Sequence, residues 1–251
     1  MERKGLKLVS KNPIWWLSLN TLLFGFLLGM NFFLPSFWWG AAFFSFLLFI
    51  FFDFFKDKKL KIAFFVFSFL SWILVDFLRF LVSNFLAILF IFFLSFLFFL
   101  LLGVKNFIFS KGKLILTIFF YFLSFLLFSF ILKFFSFSSI GGWIISFLLF
   151  FFLLKEFFIF LTGDSFWDRR KKIYLLAISF LTFQTLWISS LLSLGFLNSA
   201  SLSLVFLIVA LDIIFHYFSG SLNRAILVKN LSFLLLFSLI ILFFPYFVFL
   251  K

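Results

Sequence analysis

Long apolar runs, separated by short polar gaps, organise this chain. A hydrocarbon core of about 30 Å takes about 20 helical residues at a rise of about 1.5 Å each. Nine runs reach that length, near residues 14–34, 37–55, 62–82, 84–104, 114–135, 143–161, 173–194, 197–218 and 231–250. Hydrophobicity is continuous within each run. The strands of a membrane barrel would instead alternate over about ten residues. Helices also satisfy their own backbone hydrogen bonds, which lipid cannot do for them. The pattern therefore predicts an all-α, polytopic helical bundle: a single transmembrane domain over residues 1–251 with no soluble domain.

Charge then orients the expected spans. Arg3, Lys4, Lys7 and Lys11 precede the first run, and Lys56, Lys58, Lys59 and Lys61 follow the second. Lys105, Lys111 and Lys113 follow the fourth, Arg169, Arg170, Lys171 and Lys172 the sixth, and Arg224 and Lys229 the eighth. The alternate gaps, around Pro35–Ser36, Ser83, Ser136–Gly142 and Gly195–Leu197, hold no Lys or Arg. Cytoplasmic loops carry the basic excess. The N-terminus is thus expected inside and, with nine spans, the C-terminus outside, in the cell membrane as a multi-pass protein.

Aromatic residues fit the same frame. Trp15 and Trp16 open the first run, Trp38 and Trp39 the second and Trp143 the sixth, while Tyr174 and Tyr217 mark the expected cytoplasmic ends of the seventh and eighth. Interfacial Trp and Tyr keep a polar edge among headgroups and a ring in hydrocarbon. Trp72 and Trp187 fall at mid-depth, where packing between helices is the expectation. The first run exceeds a signal-peptide core and no small-residue cleavage site follows it, so it reads as a retained anchor.

Composition adds less than its extremity promises. The chain is 66% hydrophobic, and 57 of its 251 residues are Phe. Phe is one more favourable apolar residue in lipid, so the Phe runs carry little functional information. A net charge of +13 would point to nucleic acid in a soluble chain. Spread here over short gaps, it is a topology signal facing anionic headgroups, so no nucleic-acid partner is expected. The chain contains no Cys, which removes disulfides, thiolate metal ligands and cysteine nucleophiles. Its one histidine excludes every motif that needs two. No G-x-S-x-G turn occurs. No catalytic residue, metal site or cofactor is expected.

Polar residues inside the apolar runs are the remaining candidates, because a charge at the bilayer centre costs about 2.5–3.5 kcal/mol on insertion scales. Asp76 and Arg79 lie three apart on the third helix and share a face, where they can pair. Asp212 and His216 lie four apart on the eighth, so the carboxylate can orient the imidazole. Lys155 and Glu156 interrupt the sixth. The candidate intramembrane polar site is thus Asp76, Arg79, Glu156, Asp212 and His216. Arg169, Arg170, Lys171 and Lys172 form the candidate contact with anionic lipid, beside Asp164 and Asp168. Gly25-x-x-x-Gly29 and Ser189-x-x-x-Ser193 are small-residue faces that let helices approach closely.

Three functions are consistent with these residues. The first is a non-enzymatic membrane component (a scaffold, assembly factor or accessory subunit) whose partners are the bilayer, anionic headgroups and other membrane proteins. The second is a small-solute or ion transporter using the in-span charges. The third is an enzyme acting on lipid-linked substrates at the cytoplasmic face through Asp164, Asp168 or His216. Sparse in-span charge and the lack of a catalytic constellation favour the first.

Overall fold

The computed structural model describes residues 13–54, 60–81, 83–105, 112–134, 140–162, 169–192 and 194–249, and among these it is all-α. Nine helices occur there: α1 (Pro13–Phe33), α2 (Phe37–Phe54), α3 (Lys61–Leu81), α4 (Asn84–Lys105), α5 (Gly112–Phe134), α6 (Ile140–Thr162), α7 (Arg169–Leu191), α8 (Phe196–Phe218) and α9 (Arg224–Phe249). Seven of them, α1 and α4 to α9, are long and apolar enough to cross a membrane. The described apolar stretch of α2, Phe37–Ile50, is shorter, and α3 carries Lys61, Asp76 and Arg79.

Local chemistry sets the ends. Pro13 opens α1, where its missing N–H would have no helical partner anyway. Pro35 follows the last turn, whose Met30 carbonyl accepts the Leu34 N–H at 2.9 Å. α8 closes in a Schellman turn: Gly220 takes φ +68°, its N–H reaches the Tyr217 carbonyl at 3.2 Å, and the Ser221 N–H reaches the His216 carbonyl at 3.0 Å. The Asn223 carboxamide then accepts the Ile226 N–H at 2.9 Å and caps α9. That cap starts α9 at residue 224, well before the apolar run that begins at 231, and draws Lys229 and Asn230 into the helix.

The contacts divide the chain into two compact units, Met1–Phe119 and Phe120–Lys251. In the first, α1 packs against α2, α3 and α4. Phe24 lies at the centre of this core, stacked on Phe98 of α4 with centroids 4.0 Å apart and planes 3° from parallel. Phe43 and Phe67 close around it at 5.6 and 6.1 Å. Gly25 explains why α1 and α4 can come so near. A Cβ there would sit 2.5 Å from the Ser95 hydroxyl, whereas one at Gly29 would meet nothing within 4 Å. Trp72 packs on Gly40 and Phe43 of α2, the interhelical role expected of it.

In the second unit α7 packs on α6 and α8, and α8 on α9. The α7–α8 contact is polar where the end of α7 meets the start of α8. The Ser199 hydroxyl donates to the Ser189 carbonyl at 2.8 Å, and the Ser203 hydroxyl lies 3.4 Å from that of Ser189. Small hydrogen-bonding residues let helices approach where hydrophobicity gives no drive to associate. Ser193 lies outside the described residues. Apolar side chains cover the outer faces: Phe85, Phe92 and Phe96 on α4, and Leu235, Leu239 and Phe243 on α9, are all more than half exposed. A helix that is apolar all round, with its large side chains on the outside, fits a lipid surround.

Trp187 departs from expectation. It is 51% exposed and stands one turn from the end of α7, beside Trp143 in a groove also lined by Phe183. Because α7 begins at Arg169 and ends at Leu191, Trp187 falls near a helix end, where Trp143 also lies on α6.

Candidate functional site

Each unit holds a helical carboxylate that meets an asparagine from another helix. In the first unit the Asn31 carboxamide of α1, 3% exposed, donates to Asp76 Oδ1 of α3 at 2.9 Å. Arg79 stands one turn along α3, and its Nη2 reaches the same oxygen at 3.2 Å. The guanidinium has further partners. Its Nε donates to the Phe32 carbonyl at 3.1 Å, and its Nη2 donates to the Asn31 carbonyl.

Those carbonyls belong to the last turn of α1, where no helical N–H remains to satisfy them and the helix dipole is negative. Arg79 therefore caps α1 from α3 while pairing with Asp76. Its planar fork suits several acceptors at once, which an ammonium would bind less specifically. The expected Asp76–Arg79 pair forms, and with Asn31 it joins two helices.

In the second unit the Asn230 carboxamide of α9, 7% exposed, donates to Asp212 Oδ2 of α8 at 2.8 Å. His216, one turn further along α8, places Nε2 3.8 Å from that oxygen. This exceeds a hydrogen bond and makes an ion pair only when the imidazole carries a second proton. Its Nδ1 lies 2.8 Å from the Ser221 hydroxyl, which in turn lies 2.7 Å from that of Ser219. The imidazole thus links the carboxylate to the turn that ends α8. Tyr174 and Tyr217 also meet at this end of α7 and α8, their hydroxyls 3.4 Å apart.

Glu156 stands on another helix of the second unit. It lies on α6 beside Lys155, whose ammonium is 5.9 Å from the Phe152 ring centroid. The basic cluster is helical: Arg169 to Lys172 form the first turn of α7, with Arg170 and Lys172 exposed. Asp164 and Asp168 lie outside the described residues, as does the Arg169 side chain. Among the described residues no group of three His, Asp or Glu side chains converges to hold a metal.

Asn31 and Asn230 are the residues that reading the charges misses. An amide inside an apolar run, as Asn31 is, or at its edge, as Asn230 is, is itself the signal, since an unbonded amide in lipid costs several kcal/mol. No protein family, curated protein or solved structure matches this chain.

Proposed function

We propose that this chain is a non-enzymatic, multi-spanning component of the cell membrane, acting as a scaffold, assembly factor or accessory subunit. Nine spans with the N-terminus cytoplasmic and the C-terminus outside are the arrangement that the basic gaps favour. One observation carries the functional part: Asp76 and Asp212 each give an oxygen to an asparagine of a neighbouring helix. Asp76 is held by Asn31 and Arg79, and Asp212 by Asn230. A transport or catalytic carboxylate has to exchange partners with a substrate, whereas these fasten α1 to α3 and α8 to α9.

A transporter is the second reading, favoured by the nearness of a carboxylate and an imidazole, Asp212 and His216, one turn apart on α8. Proteoliposomes holding a pH-sensitive dye separate the two. Under an imposed proton gradient, the scaffold reading expects the full chain to leak no faster than empty vesicles. A proton flux that Asp212→Asn abolishes would establish transport instead.

A further inference from the structure

We infer that α6 and α7 form a binding site for one anionic phospholipid, whose phosphate sits between Lys155 and Lys172. These lysines line a single groove with Phe151, Ile173 and Leu176, of about 370 Å³. Lys155 lies seven residues before the end of α6, and Lys172 lies in the first turn of α7, so the two helices bring to one level cations that are 17 residues apart in the chain. The site deepens the membrane reading above and rests on it.

Chemistry selects the occupant. Lys155 interrupts a run of apolar residues, Phe147 to Leu154, in which only the lipid interface or a counter-anion makes an ammonium tolerable. Its ammonium stands 5.9 Å from the Phe152 ring centroid. Lys172 adds a second positive charge, and Arg170 and Lys171 reinforce the field at the same helix end. A lone soluble anion would match the charges and leave the walls Phe151, Ile173 and Leu176 unused. A phospholipid matches both, since its phosphate meets the ammonium groups while an acyl chain lies on the apolar wall. Glu156 adjoins Lys155, and with it counted Lys155, Arg170, Lys171 and Lys172 still leave this helix end net positive. The basic turn also lies at the helix N-terminus, where the dipole disfavours cations, and a bound phosphate would relieve that conflict.

The test uses the full chain reconstituted in phosphatidylcholine vesicles with trace spin-labelled lipid. The motionally restricted fraction of spin-labelled phosphatidylglycerol is compared with that of spin-labelled phosphatidylcholine. The wild type should select the anionic lipid, and Lys155→Gln and Lys172→Gln should each weaken that selectivity about five-fold, the effect of one basic residue near an anionic surface. Lys155→Arg should retain it, which separates lost charge from lost folding. Arg170→Gln with Lys171→Gln should reduce it by less than Lys155→Gln does. Equal losses from the two substitution sets would reduce the site to diffuse surface charge and overturn it, as would absent selectivity in the wild type. Alkaline carbonate extraction of the same vesicles checks the membrane reading separately. A chain that is extracted sinks both readings, and one that is retained without selectivity sinks only the lipid site.

Discussion

The two units fasten a carboxylate in the same way and neutralise it differently. Asp76 and Asp212 each accept from a buried asparagine of a second helix at nearly equal distance, 2.9 and 2.8 Å. Each also has a basic residue one turn further along its own helix. In the first unit that residue is an arginine, always charged, which reaches both the carboxylate and the end of α1. In the second it is a histidine, whose ring stands 3.8 Å from Asp212 and hydrogen-bonds a serine of the following turn. The first cluster is thus a three-way joint with a permanent cation, and the second a joint whose cation is conditional. The same spacing of acid and base along a helix gives different joints, because α1 offers Arg79 a helix end while the turn after α8 offers His216 a hydroxyl.

Removing the bases tests that difference most severely. Arg79→Leu leaves the Asp76 carboxylate without its cation and strips two α1 carbonyls of their donor. It should lower stability by about 2 kcal/mol, the scale of a hydrogen bond to a charged group, since the Asp76 side chain is itself 46% exposed. His216→Leu should cost less than about 1 kcal/mol, since His216 and Asp212 are 3.8 Å apart and their side chains are 36% and 48% exposed. Equilibrium unfolding in bicelles by steric trapping gives both values, and equal losses would erase the distinction between the joints.

Substituting the asparagines sharpens it at a smaller scale. Interhelical hydrogen bonds in membrane proteins average about 0.6 kcal/mol and reach about 1.7. Asn31→Leu leaves Asp76 with Arg79, so its loss should lie near the average. Asn230→Leu leaves Asp212 with only the distant imidazole and should fall near the upper value, as the same unfolding measurement would show. The reverse order would mean that α9 gains little from this bond.

Architecture was legible in the sequence because lipid imposes a length and a continuity of hydrophobicity that few other environments require. α2 and α4 begin at the residues where their apolar runs begin. Two helices start four or more residues earlier than hydrophobicity alone places them. Asn223 caps α9 seven residues ahead of its apolar run, and Arg169 to Lys172 fold into α7 although they are charged. Hydropathy does not register a capping side chain, nor a charged turn that lengthens a helix beyond the hydrocarbon. The pairs Asp76–Arg79 and Asp212–His216 were readable because helical spacing places both members on one face. Their asparagine partners were not, since no spacing rule relates position 31 to position 76, or 230 to 212. The meeting of Lys155 and Lys172 likewise depends on how far α6 and α7 extend.

Whether the in-span carboxylates act as joints is decided most directly by a double-mutant cycle on Asn31 and Asp76. Unfolding free energies are measured for the wild type, Asn31→Leu, Asp76→Leu and the double variant. If the amide and carboxylate hold α1 to α3, the two single losses exceed the double loss by about 0.6–1.7 kcal/mol. Losses that add to within about 0.3 kcal/mol would show that the two side chains are energetically independent, and would contradict the account.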